Sequence, residues 1–163
     1  MAKTRLKGLS RIEGKDPGIL ILGTFPGKES INATEYYADS KNSFRDIIAK
    51  AYGKSLPISY PDFEKLLKDK NIAVWDVFES CERVGSSDKN IINPILNKLE
   101  DYIKKHPTIR LVIFNGNRAA DEFRKLYLPV PILIAPSTSG QRHQRYLPKS
   151  IEDIWIDFLL NHR

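Results

Sequence analysis

Four short, unbroken apolar runs restrict the fold more than any other feature of this sequence: GILILG at 18–23, NIAVWDV at 71–77, IRLVIFNG at 109–116 and VPILIAPS at 130–137. A strand with one wet face alternates apolar and polar side chains, whereas a run without alternation is covered on both faces, as in a parallel sheet packed between helices. The segments between the runs supply that cover. Residues 42–53 are amphipathic and stop at Gly53, which suits a helix C-terminus, while 60–71 opens with Pro61 and closes on lysines and Asn71. Over 91–103, Ile91, Ile92, Ile95, Leu96, Leu99, Tyr102 and Ile103 recur at helical spacing, and 117–127 is a further amphipathic helix. The last helix begins with Ser150 as N-cap and Asp153 three residues later, and buries Ile151, Ile154, Trp155, Phe158 and Leu159. The alternation predicts the α/β class: a three-layer α/β/α sandwich around a mostly parallel four-stranded sheet with right-handed crossovers. A chain of 163 residues holds one hydrophobic core and is short for two, so 1–163 is expected as a single domain. Within it, residues 1–17, with Lys3, Arg5, Lys7, Arg11 and Lys15, form a basic N-terminal arm expected to be solvated.

In a sheet of this kind ligands bind beyond the carboxyl ends of the strands. That places Gly23–Gly27, Asp76–Gly85, Asn115–Asn117 and Ser137–Gly140 together. Gly23 and Gly27 bracket Thr24, Phe25 and Pro26 in a turn that either lets a ligand approach the backbone or simply ends the strand; it is neither a dinucleotide fingerprint nor a Walker loop. Of Tyr36 and Tyr37, one can wall a pocket for a planar ligand while the other packs. Asn42 stands before a helix, where its side chain either caps the helix or holds a water or a ring edge. Asp76 at a strand end is an acid or water-orienting group, or else a cap or salt-bridge partner. Glu79, Glu82 and Asp88 have Arg83 and Lys89 as nearby ion-pair partners, and Cys81 reads as a small buried hydrophobe.

The 26 Lys and Arg against 20 Asp and Glu leave a formal charge of +6, compatible with nucleic acid, an anionic membrane or plain solubility. The stretch 136–149 narrows this. Ser137, Thr138, Ser139 and Gly140 are followed by Arg142, His143, Arg145 and Lys149 with no acid between, a composition suited to a phosphate backbone. A serine nucleophile with His143 as base lacks both a nucleophile elbow and a third member. His106, His143 and His162 are scattered and the single cysteine stands alone, so neither a metal site nor a disulfide framework is expected. There is no signal-type apolar stretch near the start and no run of about 18 apolar residues, so a cytoplasmic protein without membrane contact is expected.

Taken in order, ILGTFPGKES at 21–30, YYADSKNSF at 36–44, VWDVFESCERVGSSDKNI at 74–91, FNGNRAA at 114–120 and APSTSG at 135–140 resemble the uracil-DNA glycosylase superfamily, and within it the hypoxanthine-DNA (deoxyinosine) glycosylase branch. The resemblance covers nearly the whole chain and implies a uracil-DNA glycosylase-like fold. It also implies hydrolysis of the N-glycosidic bond of a deaminated base, hypoxanthine or uracil, flipped from double- or single-stranded DNA, by a monomer without a cofactor. Asn42 then orients the water. The base-binding candidates are Gly23, Thr24, Phe25 as a wall, Pro26, Tyr37, Asp76, Asn115, Ser137 and Ser139. The candidates for the DNA backbone are Arg45, Ser137, Thr138, Arg142, His143, Arg145 and Lys149. The chain departs from the family pattern at Phe25, where several branches carry a catalytic polar residue, at Arg45, where tryptophan is common, and at Ala135, where histidine or asparagine is common and contacts the leaving group. A uracil- or mismatch-directed glycosylase, a noncatalytic DNA-binding module of the same fold and a small-nucleotide-binding protein are the competing readings.

No lysine lies in a recognisable apolar pocket or beside a nucleophile motif, so the chemistry is hydrolytic and not Schiff-base lyase chemistry. Borohydride treatment of the protein on damaged DNA is expected to trap no covalent adduct, and the strand is expected to remain intact at the abasic site.

Overall fold

The computed structural model describes residues 4–124, 128–139 and 149–162. In chain order it contains β1 (Arg5–Lys7), β2 (Ile19–Gly23), α1 (Lys28–Ala33), α2 (Phe44–Ala51), α3 (Tyr60–Asp69), β3 (Ile72–Asp76) and β4 (Phe78–Glu82). A 3-10 turn at Asp88–Asn90 precedes β5 (Ile92–Leu96), α4 (Leu99–Lys105), β6 (Leu111–Asn115), α5 (Asn117–Phe123), β7 (Ile132–Ala135) and α6 (Ile151–Asn161). The four apolar runs become β2, β3, β6 and β7, a wholly parallel sheet in the order β3-β2-β6-β7. Every residue of the central β2 and β6 is buried, which is why those runs carry no polar alternation.

Side-chain alternation sorts each strand between two cores. Leu20, Leu22, Ala73, Val112 and Phe114 pack with residues of α4 and α5, while Ile19, Ile21, Ile72, Val74, Leu111 and Ile113 pack with residues of α2, α3 and α6. Helices therefore cover both faces, the expected three layers. Three helix signals operate as anticipated: Pro61 lies in the first turn of α3, Ser150 Oγ accepts from the Asp153 amide at 3.0 Å, and Gly53 takes φ +66° just past α2; Ser59 Oγ, which the sequence reading did not single out, accepts from the Asp62 amide.

Two expectations are corrected. The helix expected over 91–103 is split: Ile92–Leu96 form β5, and only Leu99–Lys105 are helical. Pro94 explains the break, because it lacks an amide hydrogen and its ring clashes in a helix interior, and Asn93 turns to φ +48° beside it. β5 pairs antiparallel with β4, with two register irregularities, and completes a second sheet in the order β1-β4-β5. Nor do residues 4–17 stand off as a solvated arm. Arg5–Lys7 pair with Ser80–Glu82, Ile12 is buried in a bridge to Val74, and the Arg11 guanidinium lies 5.0 Å from the Trp75 ring centre and 4.6 Å from that of Tyr102.

Arg45 is also turned inward. Its guanidinium donates to the Tyr36 carbonyl through Nε (2.9 Å) and Nη2 (2.7 Å), pairs with Glu35 at 3.0 Å, and stacks 4.7 Å from the Tyr60 ring centre. Its role is to tie the loop before α2 to α3. Hydrogen bonds from a charged group contribute about 1.5–3 kcal/mol each, and they are not additive when they share one guanidinium. Arg45→Ala is expected to lower stability by about 2–3 kcal/mol in equilibrium urea unfolding.

Candidate active site

The exits of β2, β3, β6 and β7 meet at a small polar cluster. Gly23 pairs in register with Asp76, the last residue of β3. A Cβ at position 23 would sit 2.6 Å from Asp76 Oδ1 and 3.3 Å from Tyr37 Oη, so only glycine leaves room for the carboxylate and the phenol together. The main chain around Asp76 is held by the turn that follows: Val77 N–H donates to the Gly23 carbonyl, Phe78 N–H to that of Thr24, and Asn97 Nδ2 to that of Asp76 at 2.8 Å. Tyr37 reaches the cluster from a left-handed backbone conformation, φ +56°, with its ring centre 4.1 Å from that of Phe44.

Asn115, at the end of β6, joins this group to the loop after β7. Its Nδ2 donates to Thr138 Oγ1 at 2.9 Å and to Tyr37 Oη at 3.3 Å, and its Oδ1 accepts from the Thr138 amide at 3.0 Å. The Thr138 carbonyl in turn accepts from the Ser43 amide at 3.0 Å and from the Ser43 hydroxyl. Trp155 Nε1 donates to the Pro136 carbonyl and fixes the same loop from α6. Asn42 stands one residue before Ser43, its Oδ1 accepting from the Phe44 amide at 2.9 Å at the start of α2.

The electrostatics centre on two carboxylates. Asp76 is 5% exposed and its Oδ2 is buried with no hydrogen-bond partner among the described residues. Burial, and secondarily the charge of Asp88, pushes its pKa up to about 7, with Arg83 opposing. Asp88 is also raised by burial, held back by a hydrogen bond from the Thr24 side chain. Burial and the nearby Asp76 charge keep the Tyr37 phenol protonated. Arg83 donates to the Pro26 carbonyl at 2.6 Å and to the Gly85 carbonyl at 2.9 Å, and lies 5.1 Å from the Phe25 ring centre.

A family model described as the Uracil DNA glycosylase superfamily matches residues 11–159. The chain belongs to that superfamily. It is 33% identical over 152 residues to a protein of Methanosarcina acetivorans named hypoxanthine DNA glycosylase, with 91% of this chain and 94% of the relative covered. A Methanosarcina barkeri protein of the same name is 29% identical over 140 residues, 83% of this chain and 89% of the relative. The solution NMR structure of a candidate uracil DNA glycosylase from Methanosarcina acetivorans matches with a TM-score of 0.80 at 30% identity, covering 96% of this chain and 97% of that one. The chain is accordingly a DNA glycosylase, a hydrolase of N-glycosyl bonds.

Within this glycosylase fold, Asn115 joins Tyr37 to Thr138, Gly23 lies against Asp76 and Tyr37, and Asn42 precedes Ser43, which is bonded to the Thr138 carbonyl. Several individual expectations change. Tyr36 is the packing tyrosine, buried with its hydroxyl donating to the Leu9 carbonyl, and Tyr37 is the one at the cluster. Phe25 and Pro26 are buried; Phe25 belongs to the core, with Arg83 stacked on its ring, so it presents no open face for a base. Thr138 is 2% exposed and fully engaged by Asn115 and Ser43, so it is a clamp and not a DNA-backbone contact. Arg45 is likewise occupied by Tyr36 and Glu35. Both amide hydrogens of Asn115 have acceptors, Thr138 Oγ1 at 2.9 Å and Tyr37 Oη at 3.3 Å. Ser137 Oγ donates to Ser139 Oγ at 3.1 Å and accepts from the Ser139 amide, shaping the loop tip. Arg142, His143 and Arg145 lie outside the described residues, and Lys149 is exposed. Sequence reasoning missed Ser43, and it took Asp88 and Arg83 for ordinary ion-pair partners. Their roles arise from contacts 95, 64 and 57 residues away, to Thr138, Thr24 and Pro26, and leave no local signal.

Removing the Asn115 amide leaves the buried Thr138 N–H without its acceptor, a loss of about 1–3 kcal/mol. Asn115→Ala is expected to lower stability by that amount in equilibrium unfolding. Hydrogen exchange at the Thr138 amide is expected to quicken by about 10-fold or more, beyond the change at β2 amides.

Proposed function

We propose that this glycosylase releases hypoxanthine from DNA by hydrolysing the N-glycosidic bond of an extruded deoxyinosine, working as a monomer and leaving an abasic site. The reading is supported by two relatives named hypoxanthine DNA glycosylase, aligned over most of both chains. The observation that carries it is the link from Ser43 to the Thr138 carbonyl, which ties the residue after Asn42 to the loop following β7 and supports a role for Asn42 there. Among the candidate site residues, Tyr37, Asn42 and Ser137 are half-buried while Gly23, Thr24, Asp76 and Asn115 are buried, so a base coming from DNA meets the former group first.

Extrusion costs a few kcal/mol of unstacking and unpairing. Breaking the bond leaves positive character on the deoxyribose and negative charge on the departing base, so the site must hold a water at C1′ and donors at the base. Asn42 Oδ1 accepts from the Phe44 amide with one lone pair and keeps a second for a water O–H. An amide is too weak a base to deprotonate that water strongly, so Asn42 aligns it for attack on a largely dissociated sugar cation. Lys149 and the basic residues at 142–145 supply charge for the DNA backbone.

Single-turnover base release from duplexes containing inosine, uracil, xanthine or no lesion, in EDTA, tests this. Hypoxanthine is expected to be released fastest and EDTA to leave the rate unchanged. Asn42→Ala is expected to lose at least about 10-fold, the low end for a positioned catalytic group. A mutant rate equal to the wild-type rate removes Asn42 from the role, and faster release of uracil reassigns the substrate.

A further inference from the structure

The proposed reaction leaves one demand unassigned: a hydrogen-bond donor at the base as negative charge develops there. Ala135 has no polar side-chain atom, and both Asn115 amide hydrogens are engaged. Asp76 is different. It ends β3 against the bare backbone of Gly23, its Oδ1 in the space a Cβ would take, and its Oδ2 is buried with no partner among the described residues. An ionised carboxylate accepts hydrogen bonds only, and leaving one of its oxygens without a donor in a dry site is costly; a carboxylic acid brings its own donor.

We infer that Asp76 is a catalytic residue of this enzyme, carrying its proton into the reaction and donating it to the N7/O6 edge of the extruded purine. This rests on the reading of the chain as a hypoxanthine-releasing enzyme. The C1′–N9 bond breaks with its electron pair passing to the base. The Asp76 O–H bond breaks with its pair staying on the carboxylate, and the proton ends on N7, so that neutral hypoxanthine departs. The water aligned by Asn42 forms the new C1′–O bond, and the proton it loses returns through solvent to Asp76. One water is consumed and the enzyme is restored. An ionised Asp76 would instead place a negative charge against the anionic leaving group.

The surroundings favour the protonated form. Asp88 faces Asp76 from the 3-10 turn as a like charge, and Tyr36 and Tyr37 face it from the loop before α2 as neutral phenols. Among the described residues Arg83, from the segment after β4, is the opposing charge; its Nε donates to the Gly85 carbonyl and its Nη2 to the Pro26 carbonyl, while its buried Nη1 has no partner there. Burial dominates, setting the Asp76 pKa at about 7, so the active form is present below that pH and is lost above it.

The test is the pH profile of single-turnover hypoxanthine release from about pH 5.5 to about pH 8.5. Wild-type release is expected to fall through a single ionisation near pH 7, approaching 10-fold per pH unit above it. Asp76→Asn keeps the shape and can donate a hydrogen bond but cannot transfer a proton. It is expected to be at least about 10-fold slower at pH 6, with a flat profile that meets the wild-type curve near pH 8. Asp88→Asn removes the like charge and is expected to move the wild-type midpoint to lower pH. Carboxyl carbon NMR is expected to show one aspartate titrating near pH 7 in the wild type and absent in Asp76→Asn. An Asp76→Asn profile parallel to the wild type, or a flat wild-type profile with normal release, overturns the assignment while leaving the glycosylase reading intact. Absence of release at every pH overturns both. If the near-neutral carboxyl signal is missing, the assignment fails whatever the activity.

Discussion

Thr138 is gripped from two directions, its amide and hydroxyl by Asn115 and its carbonyl by Ser43, and the site depends on this grip. β6 and β7 are neighbours in the sheet, but nothing in strand pairing itself brings the loop after β7 to the start of α2. Four hydrogen bonds to one buried residue do so, two from Asn115 at the end of β6 and two from Ser43 at the start of α2. Because the residue is buried, loss of any partner leaves a polar group with neither protein nor water to satisfy it, and the loop has one arrangement and not several. Asn42, one residue from Ser43, inherits its position from that constraint.

Around this clamp the chain tolerates polar groups that a purely structural core would not. Asp76 Oδ2 and Arg83 Nη1 are buried without hydrogen-bond partners among the described residues, and Tyr37 holds a left-handed backbone conformation. Each has an energetic cost, and all three lie around the strand exits where the reaction would occur. Such concentration is what a site built for a ligand produces: groups that satisfy nothing in the free protein are available to the substrate.

The second sheet explains how Asp88 comes to face Asp76. β4 starts two residues after Asp76, so the chain turns back immediately, runs antiparallel beside β1 and returns along β5. The 3-10 turn at Asp88–Asn90 lies on that excursion and brings its carboxylate to the Thr24 side chain at the β2 exit. The β1-β4-β5 sheet is therefore the support of one wall of the site as well as cover for the N-terminal segment.

Much of the architecture was legible from side-chain pattern alone. Unbroken apolar runs marked β2, β3, β6 and β7 because burial on both faces abolishes alternation, and Pro61, Ser150 and Gly53 marked helix ends because their roles are local. The choice of the carboxyl ends for the candidate site followed from the parallel topology. Helical spacing over 91–103 misled, since Pro94 and antiparallel pairing with β4 outweighed periodicity. The roles of Arg45, Thr138 and Phe25 were likewise decided only in three dimensions: each residue type suited a DNA or base contact, but each was consumed by a distant partner, Tyr36 and Glu35, Asn115 and Ser43, or the core and Arg83. Periodicity and capping are properties of neighbours in sequence, so the sequence by itself determined strands, helices and their order. Which polar atoms were satisfied and which were left open depended on contacts between residues far apart in the chain, and only the tertiary structure decided those.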